Sequence, residues 1–459
     1  MKTFPLSPSL KEVVRRIQQS AGRLWVVGGA IRDIFLRELR GDRATSPLRE
    51  IDLATDLLPK QIIALFPGSL RFGERFGTVV VRLGGEEFEV TTLRCESGYI
   101  DGRRPEQVEF SDSIEADLAR RDFTVNALAL ELPDGKLSDP FNGREDLKRG
   151  LLRAVGEPSR RLAEDGLRAY RGCRFAATLG FEIEPKTLRA IKANREVASR
   201  VAWERIGAEL QKAMTAAEPS RCFELLRQVG LLDHCLPELA TCYGVTQNRH
   251  HDFDVYDHSL RACDLAPAEK PAVRWAALLH DIGKVETKTR QGRDFHFHGH
   301  EELSARLAER ALQRLRLPKE LRRRVTHLIA RHMFLYQPQW SDAAVRRFVR
   351  RVGVEQLADL FDLAIADRLA KHRESRFHLP ADIDELMSRI EELRLDETAL
   401  TIGDLAIGGA ELLTITEKPA GPWVGTVLHQ LLELVLERPE LNQREELLHE
   451  AERLLSDDY

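Results

Sequence analysis

The sequence predicts an α+β protein of several domains, with a mixed α/β head followed by a long all-α remainder. Its 459 residues are too many for one ordinary core, because single hydrophobic cores stop growing at roughly 250–300 residues. Short β-rich runs alternate with helical stretches from about residue 24 to 130. After the turn-rich segment 132–146, apolar residues recur with helical spacing. We therefore expect a sheet-containing first domain and helical domains after it.

Composition excludes several classes of protein. With 43% hydrophobic and 31% charged residues, the chain has no apolar run near the roughly 18 residues of a membrane span. The N-terminus lacks a signal core, so we expect a cytoplasmic protein without a membrane partner. The six cysteines have no CxxC spacing, which argues against a disulfide framework or a thiolate zinc site. A net charge of −4 leaves any nucleic-acid binding to local basic patches.

The first chemical motif is "VVGGAIRD", where an apolar run meets Gly28 and Gly29 before a predicted helix. Glycines at such a junction let backbone N–H groups approach an anion, and the helix N-terminus favours negative charge. A glycine pair after a strand also serves as a purely structural turn. The motif alone leaves both interpretations open.

The second motif is "REIDLAT", which places Glu50 and Asp52 two residues apart. In a strand, both carboxylates point to the same face, where they repel each other unless a cation lies between them. Mg²⁺ is the natural occupant, since it binds one or two carboxylates together with substrate phosphates. Glu89, in a later alternating strand, is a candidate third acid. The alternative is a solvated strand face, above all for Glu89.

The third motif is the helical segment "AEDGLRAYRGCRF". Glu164 and Arg168 are four residues apart, Asp165 and Arg168 three apart, and Arg171 and Arg174 continue one face. By spacing alone this is an ordinary salt-bridged helix.

The C-terminal half carries a possible metal-ligand set. His258, the His280-Asp281 pair in "LLHDIGK" and Asp367 in "AIADRLAKH" offer imidazole and carboxylate ligands, which suit Mg, Mn, Ni, Fe or Zn. A His-Asp dipeptide without further ligands would mean little, as a second such dipeptide, in "HHD" at 250–252, illustrates. The basic clusters "RRRV" and "VRRFVRRV" either line an RNA path or form solvated helix faces.

Five motifs in the same order resemble one known family. "GGAIRD", "EIDLAT", "EVTTLR", "YIDGRRPEQVEF" and "RRDFTVNALAL" resemble the bacterial-type tRNA nucleotidyltransferases and their poly(A) polymerase relatives, over about residues 20–240. The first acid of the pair is usually aspartate in that family and is Glu50 here.

The resemblance implies a role for each motif. Glu50 and Asp52 would hold Mg²⁺ ions, with Glu89 as a further catalytic acid. Glu164, Asp165 and Arg168 would recognise the incoming base, cytosine or adenine. The segment 94–110 resembles the loop of members that add adenosine. The expected nucleotide-binding residues are Gly28, Gly29, Arg32, Arg121, Asp122, Asn126, Asp165, Arg168, Arg171 and Arg174.

The later motifs resemble the HD phosphohydrolase superfamily over about residues 250–375. This resemblance implies a divalent metal held by His258, His280, Asp281 and Asp367, which activates water against a phosphate ester. His300 and His332 follow in the order expected of additional ligands, although a histidine at the surface often has no such role.

The predicted domains are a nucleotidyltransferase head (1–140), a helical neck and body (141–245), an HD domain (246–375) and a helical tail (376–459). The predicted function is addition of CCA to the tRNA 3′ end from CTP and ATP, with phosphohydrolase activity in the HD domain and no obligate protein partner evident. The alternatives are an A-adding enzyme, a poly(A) polymerase, a protein-modifying uridylyltransferase with an HD domain, and an inactive RNA-binding module.

Overall fold

The computed structural model describes residues 6–41, 51–70, 77–100, 104–248, 251–292, 294–373, 380–393, 399–416 and 418–456. The chain divides into two compact units. The first comprises residues 1–240 with 314–317, and the second comprises residues 241–313 with 318–459.

The first unit combines a sheet-containing head with a helical continuation. Its strands are β1 (Leu24–Val27), β2 (Asp52–Thr55), β3 (Thr78–Leu83), β4 (Glu86–Thr92), β5 (Arg94–Ile100), β6 (Arg104–Phe110), β7 (Ala129–Leu132), β8 (Leu137–Ser138), β9 (Leu151–Leu152) and β10 (Glu182–Ile183). Its helices are α1 (Pro8–Gln19), α2 (Gly29–Arg40), α3 (Pro59–Leu65), α4 (Ile114–Ala119), α5 (Gly143–Arg149), α6 (Pro158–Glu164), α7 (Leu167–Leu179), α8 (Pro185–Ala193), α9 (Arg195–Ala198), α10 (Trp203–Ala213), α11 (Ser220–Gln228), α12 (Leu232–Cys235) and α13 (Pro237–Ala240). A 3₁₀ turn spans Thr124–Asn126.

A six-stranded mixed sheet organises the head, in the order β3-β4-β2-β1-β7-β8. β2 and β4 are parallel, and the other neighbouring strands are antiparallel. The register places Asp52 opposite Val27 on β1 and opposite Glu89 on β4. Two acids on neighbouring strands therefore lie side by side.

Local sequence explains where the first elements begin and end. The Ser7 side chain accepts a hydrogen bond from the Leu10 N–H, and Pro8 occupies the first turn, so α1 starts there. All four residues of β1 are buried. Helix α2 ends at Gly41, which adopts a left-handed conformation that glycine tolerates.

The core of the head packs helix α4 and the 3₁₀ turn against the sheet. The buried cluster consists of Trp25, Val27, Ala54, Leu93, Ile114, Leu118, Ala127, Ala129 and Val155, with Phe141 packed against it. Since β1 is central and fully buried, the backbone that leads into Gly28 has a fixed position.

The second unit is largely helical. Its helices are α14 (Val255–Leu265), α15 (Pro271–Leu279), α16 (Lys284–Thr287), α17 (His300–Arg314), α18 (Lys319–Arg331), α19 (Asp342–Val352), α20 (Leu357–Ala370), α21 (Ala381–Glu392), α22 (Gly409–Leu412), α23 (Pro422–Glu437) and α24 (Arg444–Ser456), with a β-hairpin of β11 (Thr289–Gln291) and β12 (Asp294–His296). Further 3₁₀ turns span Val354–Gln356, Ile402–Asp404 and Pro439–Leu441.

Helices α14, α15, α18 and α20 pack together around the predicted HD motifs. From Ala272 to Leu279, helix α15 is entirely buried, which explains why its sequence is apolar except for Arg274, whose Nε donates to the Ala266 carbonyl. The helix ends at His280, so that His280 and Asp281 emerge from the middle of the packed helices.

The observed architecture confirms the predicted fold class, since a mixed sheet in the head precedes mostly helical regions. In the described part of the chain, no helix is both long and apolar enough to cross a bilayer.

Candidate active sites

The junction of β1 and α2 requires glycine at position 28. Gly28 has a φ of +72°, and a Cβ added there would lie 2.8 Å from Arg121 Nη1 and 3.9 Å from Asp52 Oδ2. The positive φ favours glycine, and the backbone at this position passes close to a guanidinium and a carboxylate. The structural and the ligand-binding interpretations of the glycine pair both fit this geometry.

Asp52 and Glu89 open onto one polar cavity of about 210 Å³. Its charged lining comprises Asp52, Glu89, Arg94, Asp117, Arg120 and Arg121. The two exposed carboxylates on parallel neighbouring strands form a hard-oxygen donor pair, which fits a divalent cation such as Mg²⁺. The expected partner Glu50 lies outside the described residues.

Asp117 on α4 orients the arginines of this cavity, a role that sequence reasoning missed. It is buried, and its carboxylate lies 2.7 Å from Arg120 Nη2 and 3.2 Å from Arg121 Nη2. Burial alone would raise the pKa of Asp117, but Arg121 and Arg120 hold it below the ordinary value. Asp117 therefore stays ionised and keeps two guanidinium groups at the cavity. Its spacing of three and four residues from the arginine pair was the available signal.

Four of the expected nucleotide-binding residues form one hydrogen-bond chain. Arg32 Nη1 donates to Asn126 Oδ1 (2.8 Å), Asn126 Nδ2 to Asp122 Oδ1 (3.2 Å), and Arg171 Nε to Asp122 Oδ2 (2.7 Å). The chain joins α2, the 3₁₀ turn and α7, so residues distant in sequence hold one another in place. The neutral amide of Asn126 and the charged guanidinium of Arg171 thus donate to the same carboxylate, that of Asp122.

Phe175 provides a ring against which three of these arginines lie. The guanidinium carbons of Arg32, Arg171 and Arg174 are 5.3, 5.1 and 3.7 Å from its ring centroid. Glu209 on α10 accepts from Arg174 Nε at 2.5 Å. A cluster of cations held by an aromatic ring suits an anionic ligand. Sequence reasoning had assigned no role to Phe175 or Glu209.

Asp122→Asn is expected to lower the free energy of unfolding by about 1–3 kcal/mol at neutral pH, because a buried charged hydrogen bond to Arg171 is lost. Burial alone would raise the pKa of Asp122, but Arg171, Asn126 and the Phe123 N–H lower it from 3.8 to about 2. The stabilisation of the fold by ionised Asp122 is fully present above the pKa that this carboxyl has in the unfolded state. It declines as the pH falls toward 2. Urea unfolding at pH 7 and pH 3 measures it.

The exposed Asp134→Asn is the control and should be neutral at both pH values. A stability difference between wild type and Asp122→Asn that grows on acidification would contradict the assigned ion pair.

Of the expected base-recognition residues, Glu164 and Arg168 form the anticipated i,i+4 ion pair at 2.7 Å. Arg168 also donates to the carbonyls of Arg161 and Arg120 at 2.7 and 2.9 Å. Asp165 instead pairs with Arg205 of α10, at 2.9 Å. Arg168 is thus firmly anchored, and Arg205 is a partner that sequence reasoning missed.

In the second unit, the four expected metal ligands converge. His258 Nε2 lies 3.2 Å from His280 Nε2 and 3.0 Å from Asp367 Oδ1. His280 Nε2 lies 3.3 Å from Asp281 Oδ2. Three helices, α14, α15 and α20, deliver these side chains. The two imidazoles and two carboxylates can surround one divalent ion.

His300 and His332 approach the other oxygen of the same aspartate. Asp281 Oδ1 is 3.2 Å from His300 Nε2 and 4.0 Å from His332 Nε2. Asp281 Oδ1 and His300 Nε2 are buried, and neither makes a hydrogen bond with a described residue. Close, buried donor atoms without hydrogen bonds fit metal ligation. Both histidines therefore lie where additional ligands would be.

Backbone carbonyls orient three of these rings. The Nδ1 atoms of His280, His300 and His332 lie 2.8, 2.7 and 2.7 Å from the carbonyl oxygens of Ala277, Phe297 and Ile329. A carbonyl only accepts, so each Nδ1 carries a proton and each Nε2 faces the cluster. This tautomer is the one a metal requires.

The charges of the cluster suit a cation. Burial lowers the pKa of His258, and it lowers that of His332 to about 3, so both rings are neutral ligands. Burial alone would also lower the pKa of His280, but Asp281 and Asp367 raise it to about 10. Metal binding would displace that proton. Lys284 Nζ, 2.6 Å from Asp281 Oδ2 and 2.7 Å from Gln247 Oε1, is a further contact that sequence reasoning missed.

A cavity of about 490 Å³ opens onto this cluster. Asp281, His332 and Asp367 lie on its wall together with the cationic side chain of Lys371. The volume is sufficient for a phosphate ester, and the lysine complements its charge.

Comparison with known proteins relates both sites to characterised families. Residues 24–153 match the poly A polymerase head domain, residues 180–242 a probable RNA- and SrmB-binding site of polymerase A, and residues 255–371 the HD domain. Over 447 residues the chain is 31% identical to the CCA-adding enzyme of Bacillus licheniformis, covering 97% of this chain and 96% of that one. The chain belongs to the CCA-adding enzyme family of tRNA nucleotidyltransferases. The predicted family and enzyme class are confirmed.

Two other members extend the comparison. The A-adding tRNA nucleotidyltransferase of Deinococcus radiodurans is 38% identical over 346 residues, covering 71% of this chain and 76% of that one. The Bacillus stearothermophilus CCA-adding enzyme, solved in complex with CTP, superposes with a TM-score of 0.72 at 27% identity, covering 99% of this chain and all of that one. This nucleotidyltransferase therefore resembles the fold of the Bacillus stearothermophilus enzyme along nearly its whole length.

Proposed function

We propose that this enzyme builds or repairs the 3′-terminal CCA of tRNA from CTP and ATP, with release of pyrophosphate. The observation that carries the proposal is the near full-length match to a CCA-adding enzyme, together with Asp52 and Glu89 at one cavity. Because tRNA, CTP and ATP occur in the cytosol, we place the enzyme there.

Asp52 would hold Mg²⁺ together with Glu50, and Glu89 would serve as the neighbouring acid. When bound, Mg²⁺ supplies Lewis-acid activation of the RNA 3′-hydroxyl and charge neutralisation on the phosphates. Gly28 and Gly29 would let the triphosphate approach the backbone. Arg32 would contribute positive charge from the hydrogen-bond chain that it forms with Asn126.

The remaining nucleotide contacts would come from the ionic network of the first unit. Arg121 reaches the backbone at Gly28, and Asp122 and Asn126 would orient the sugar and phosphates. Arg171 and Arg174, held against Phe175, would add cationic charge for the nucleotide. Each of these arginines already contacts another protein side chain, so its direction is set before the nucleotide binds.

Base selection would rest on Asp165 and Arg168, supported by Glu164. Cytosine and adenine each present an amino donor beside a ring-nitrogen acceptor, which a carboxylate and a guanidinium complement. Uracil and guanine present the opposite polarity. Arg168 is anchored by Glu164 and two carbonyls, and Arg205 holds Asp165.

Asp165→Ala is expected to reduce discrimination against UTP and GTP by about 10- to 100-fold, as the loss of a bidentate base contact does. Addition of the preferred nucleotide should fall less. Single-nucleotide incorporation with each of the four triphosphates measures both effects. The exposed Asp233→Ala is the control. Unchanged selectivity with a uniformly lower rate would remove Asp165 from base recognition.

A second candidate, addition of the terminal A alone, is favoured by the 38% identity to an A-adding enzyme. Within residues 94–110, which resemble the loop of members that add adenosine, the described strands Arg94–Ile100 and Arg104–Phe110 pair in antiparallel orientation. A full-length match to CCA-adding enzymes favours the complete reaction.

The deciding experiment uses three tRNAs that end before CCA, after the first C and after CC, incubated with Mg²⁺, CTP and ATP. Stepwise completion of all three establishes CCA addition. Extension of only the CC-ended tRNA by one A establishes the A-adding reaction. Long A tails would make the protein a poly(A) polymerase.

The HD site would be a metal-dependent phosphohydrolase that removes cyclic or terminal phosphates. His258, His280, Asp281 and Asp367 would hold one divalent ion, and His300 and His332 lie where further ligation would occur. Such a metal lowers the pKa of bound water and neutralises a phosphoryl oxygen. Mg, Mn, Ni, Fe and Zn are all compatible with this ligand set.

A further inference from the structure

The HD unit presents a cationic groove between α17 and α18 that is separate from its metal-ligand cluster. The groove has a volume of about 780 Å³. Arg306 and Arg310 line one side, four residues apart on α17, and Arg323 and Arg331 line the other side on α18. Because residues four apart share a helix face, each helix directs a row of guanidinium groups into the groove.

Most of this charge is not neutralised by the protein. Among the described residues, Arg306, Arg310 and Arg331 form no ion pair, and Arg323 pairs only with the exposed Glu320. The one acid in the lining, Glu309, already pairs with Arg322. Burial and then the nearby Arg351 lower the pKa of Arg331, as expected where one cation lies close to another. The groove therefore carries a net positive field.

The predicted basic clusters share only Arg323 of "RRRV" with the lining of this groove. In "RRRV", Arg322 and Arg324 are neutralised by Glu309 and Asp359. In "VRRFVRRV", Arg347 pairs with Glu433 and Glu437, and Arg350 also pairs with Glu433. Clusters that stand out in the sequence are thus mostly compensated, whereas arginines spread over two helices form the uncompensated surface.

The floor of the groove is compatible with a close-lying polyanion. Ala305 and Ala330 are small and Thr326 offers a hydroxyl, so the helix backbones can be approached closely. His327 has its pKa lowered by burial and then by Arg331, and its Nε2 donates to the Val352 carbonyl at 2.6 Å. Arg323 pairs with Glu320, and Arg331 Nε donates to the Arg351 carbonyl at 2.8 Å. Arg306 and Arg310, which form no ion pair with a described residue, are therefore the arginines best placed to follow a chain of phosphates.

We infer that this groove binds the phosphate backbone of the tRNA substrate. The inference rests on the proposed function, since that function supplies RNA as the partner. Arginine forks match phosphate oxygens, and several per ligand provide affinity that does not depend on base sequence. The contact would therefore hold tRNA without selecting its bases.

The test is equilibrium binding of a labelled tRNA already ending in CCA, without nucleotides, across a salt series. The variant Arg306→Gln/Arg310→Gln is expected to bind about tenfold more weakly. The slope of log affinity against log salt should fall by about two, roughly one for each lost phosphate contact. The matched control, Arg347→Gln/Arg350→Gln, removes two arginines that glutamates already neutralise and should bind within about twofold of wild type.

Thermal unfolding of both variants establishes that they are folded. Equal affinity and slope for wild type and the groove variant would overturn the inference, as would a loss of affinity that is independent of salt. If the wild-type protein binds no tRNA at all, the proposed function fails. If the wild type binds and the groove variant binds equally well, only the groove assignment fails.

Discussion

Asp52→Ala is expected to reduce nucleotide addition by a factor on the order of 10³ or more, because it removes a carboxylate that would hold the catalytic cation where charge develops. The carboxylate lies beside Glu89 across parallel strands and within reach of the Gly28 backbone. Primer extension of a CC-ended tRNA with ATP measures the loss. Hydrolysis of a 2′,3′-cyclic phosphate should continue at the wild-type rate.

Two further variants test whether the effect is specific to the acids of this cavity. Glu87→Gln alters an acid two residues before Glu89 on the same strand, where it pairs with Arg82 outside the cavity, and should leave addition unchanged. Glu89→Gln should lower addition. If Asp52→Ala abolished both activities equally, the two sites would not act independently. If it retained full addition activity, the carboxylate assignment would be wrong.

Asp281→Asn is expected to eliminate phosphohydrolase activity and the bound divalent metal while nucleotide addition persists. Its two oxygens face different histidines, so one substitution removes a charged ligand both from the side of His280 and from the side of His300. The amide keeps the shape of the side chain but not its charge, and loss of that charge removes a strong ligand. Metal analysis of the purified protein and a phosphatase assay measure the two effects.

Asp342→Asn, an exposed aspartate of the same unit, is the control and should keep its metal. Unfolding of the Asp281 variant in chelator, compared with chelated wild type, separates loss of ligation from loss of structure. Retention of both metal and hydrolysis by Asp281→Asn would show that the cluster is not the hydrolytic site.

The sequence anticipated features that follow from short-range periodicity. Alternation along a strand placed Asp52 on one face, helical spacing gave the Glu164–Arg168 pair, and the buried helix that ends at His280 was visible as an apolar run. These features depend on a single element, whose geometry the local sequence largely determines.

Contacts between elements were beyond such reasoning. Asp52 lies opposite Glu89 because β4 pairs with β2 in parallel orientation. No local sequence pattern indicates which strand becomes the neighbour of β2. Arg205 lies 40 residues from Asp165, so their ion pair is purely tertiary. The basic groove shows the same limitation, because Arg306 and Arg331 become neighbours only when α17 packs beside α18.

The three histidines whose Nδ1 atoms point at a carbonyl three residues earlier have a consequence for evolution and engineering. Their alignment comes from backbone three residues away in sequence, at the ends of α15 and α18 for His280 and His332 and in the turn before α17 for His300, so substitutions in the surrounding helices can accumulate without tilting the rings. A transplanted segment such as Ala277–His280 would carry its orientation with it. Residues of the cavity wall can therefore change during evolution, which alters the substrates that fit the cavity. The Nε2 atoms that face the metal keep their direction while this happens.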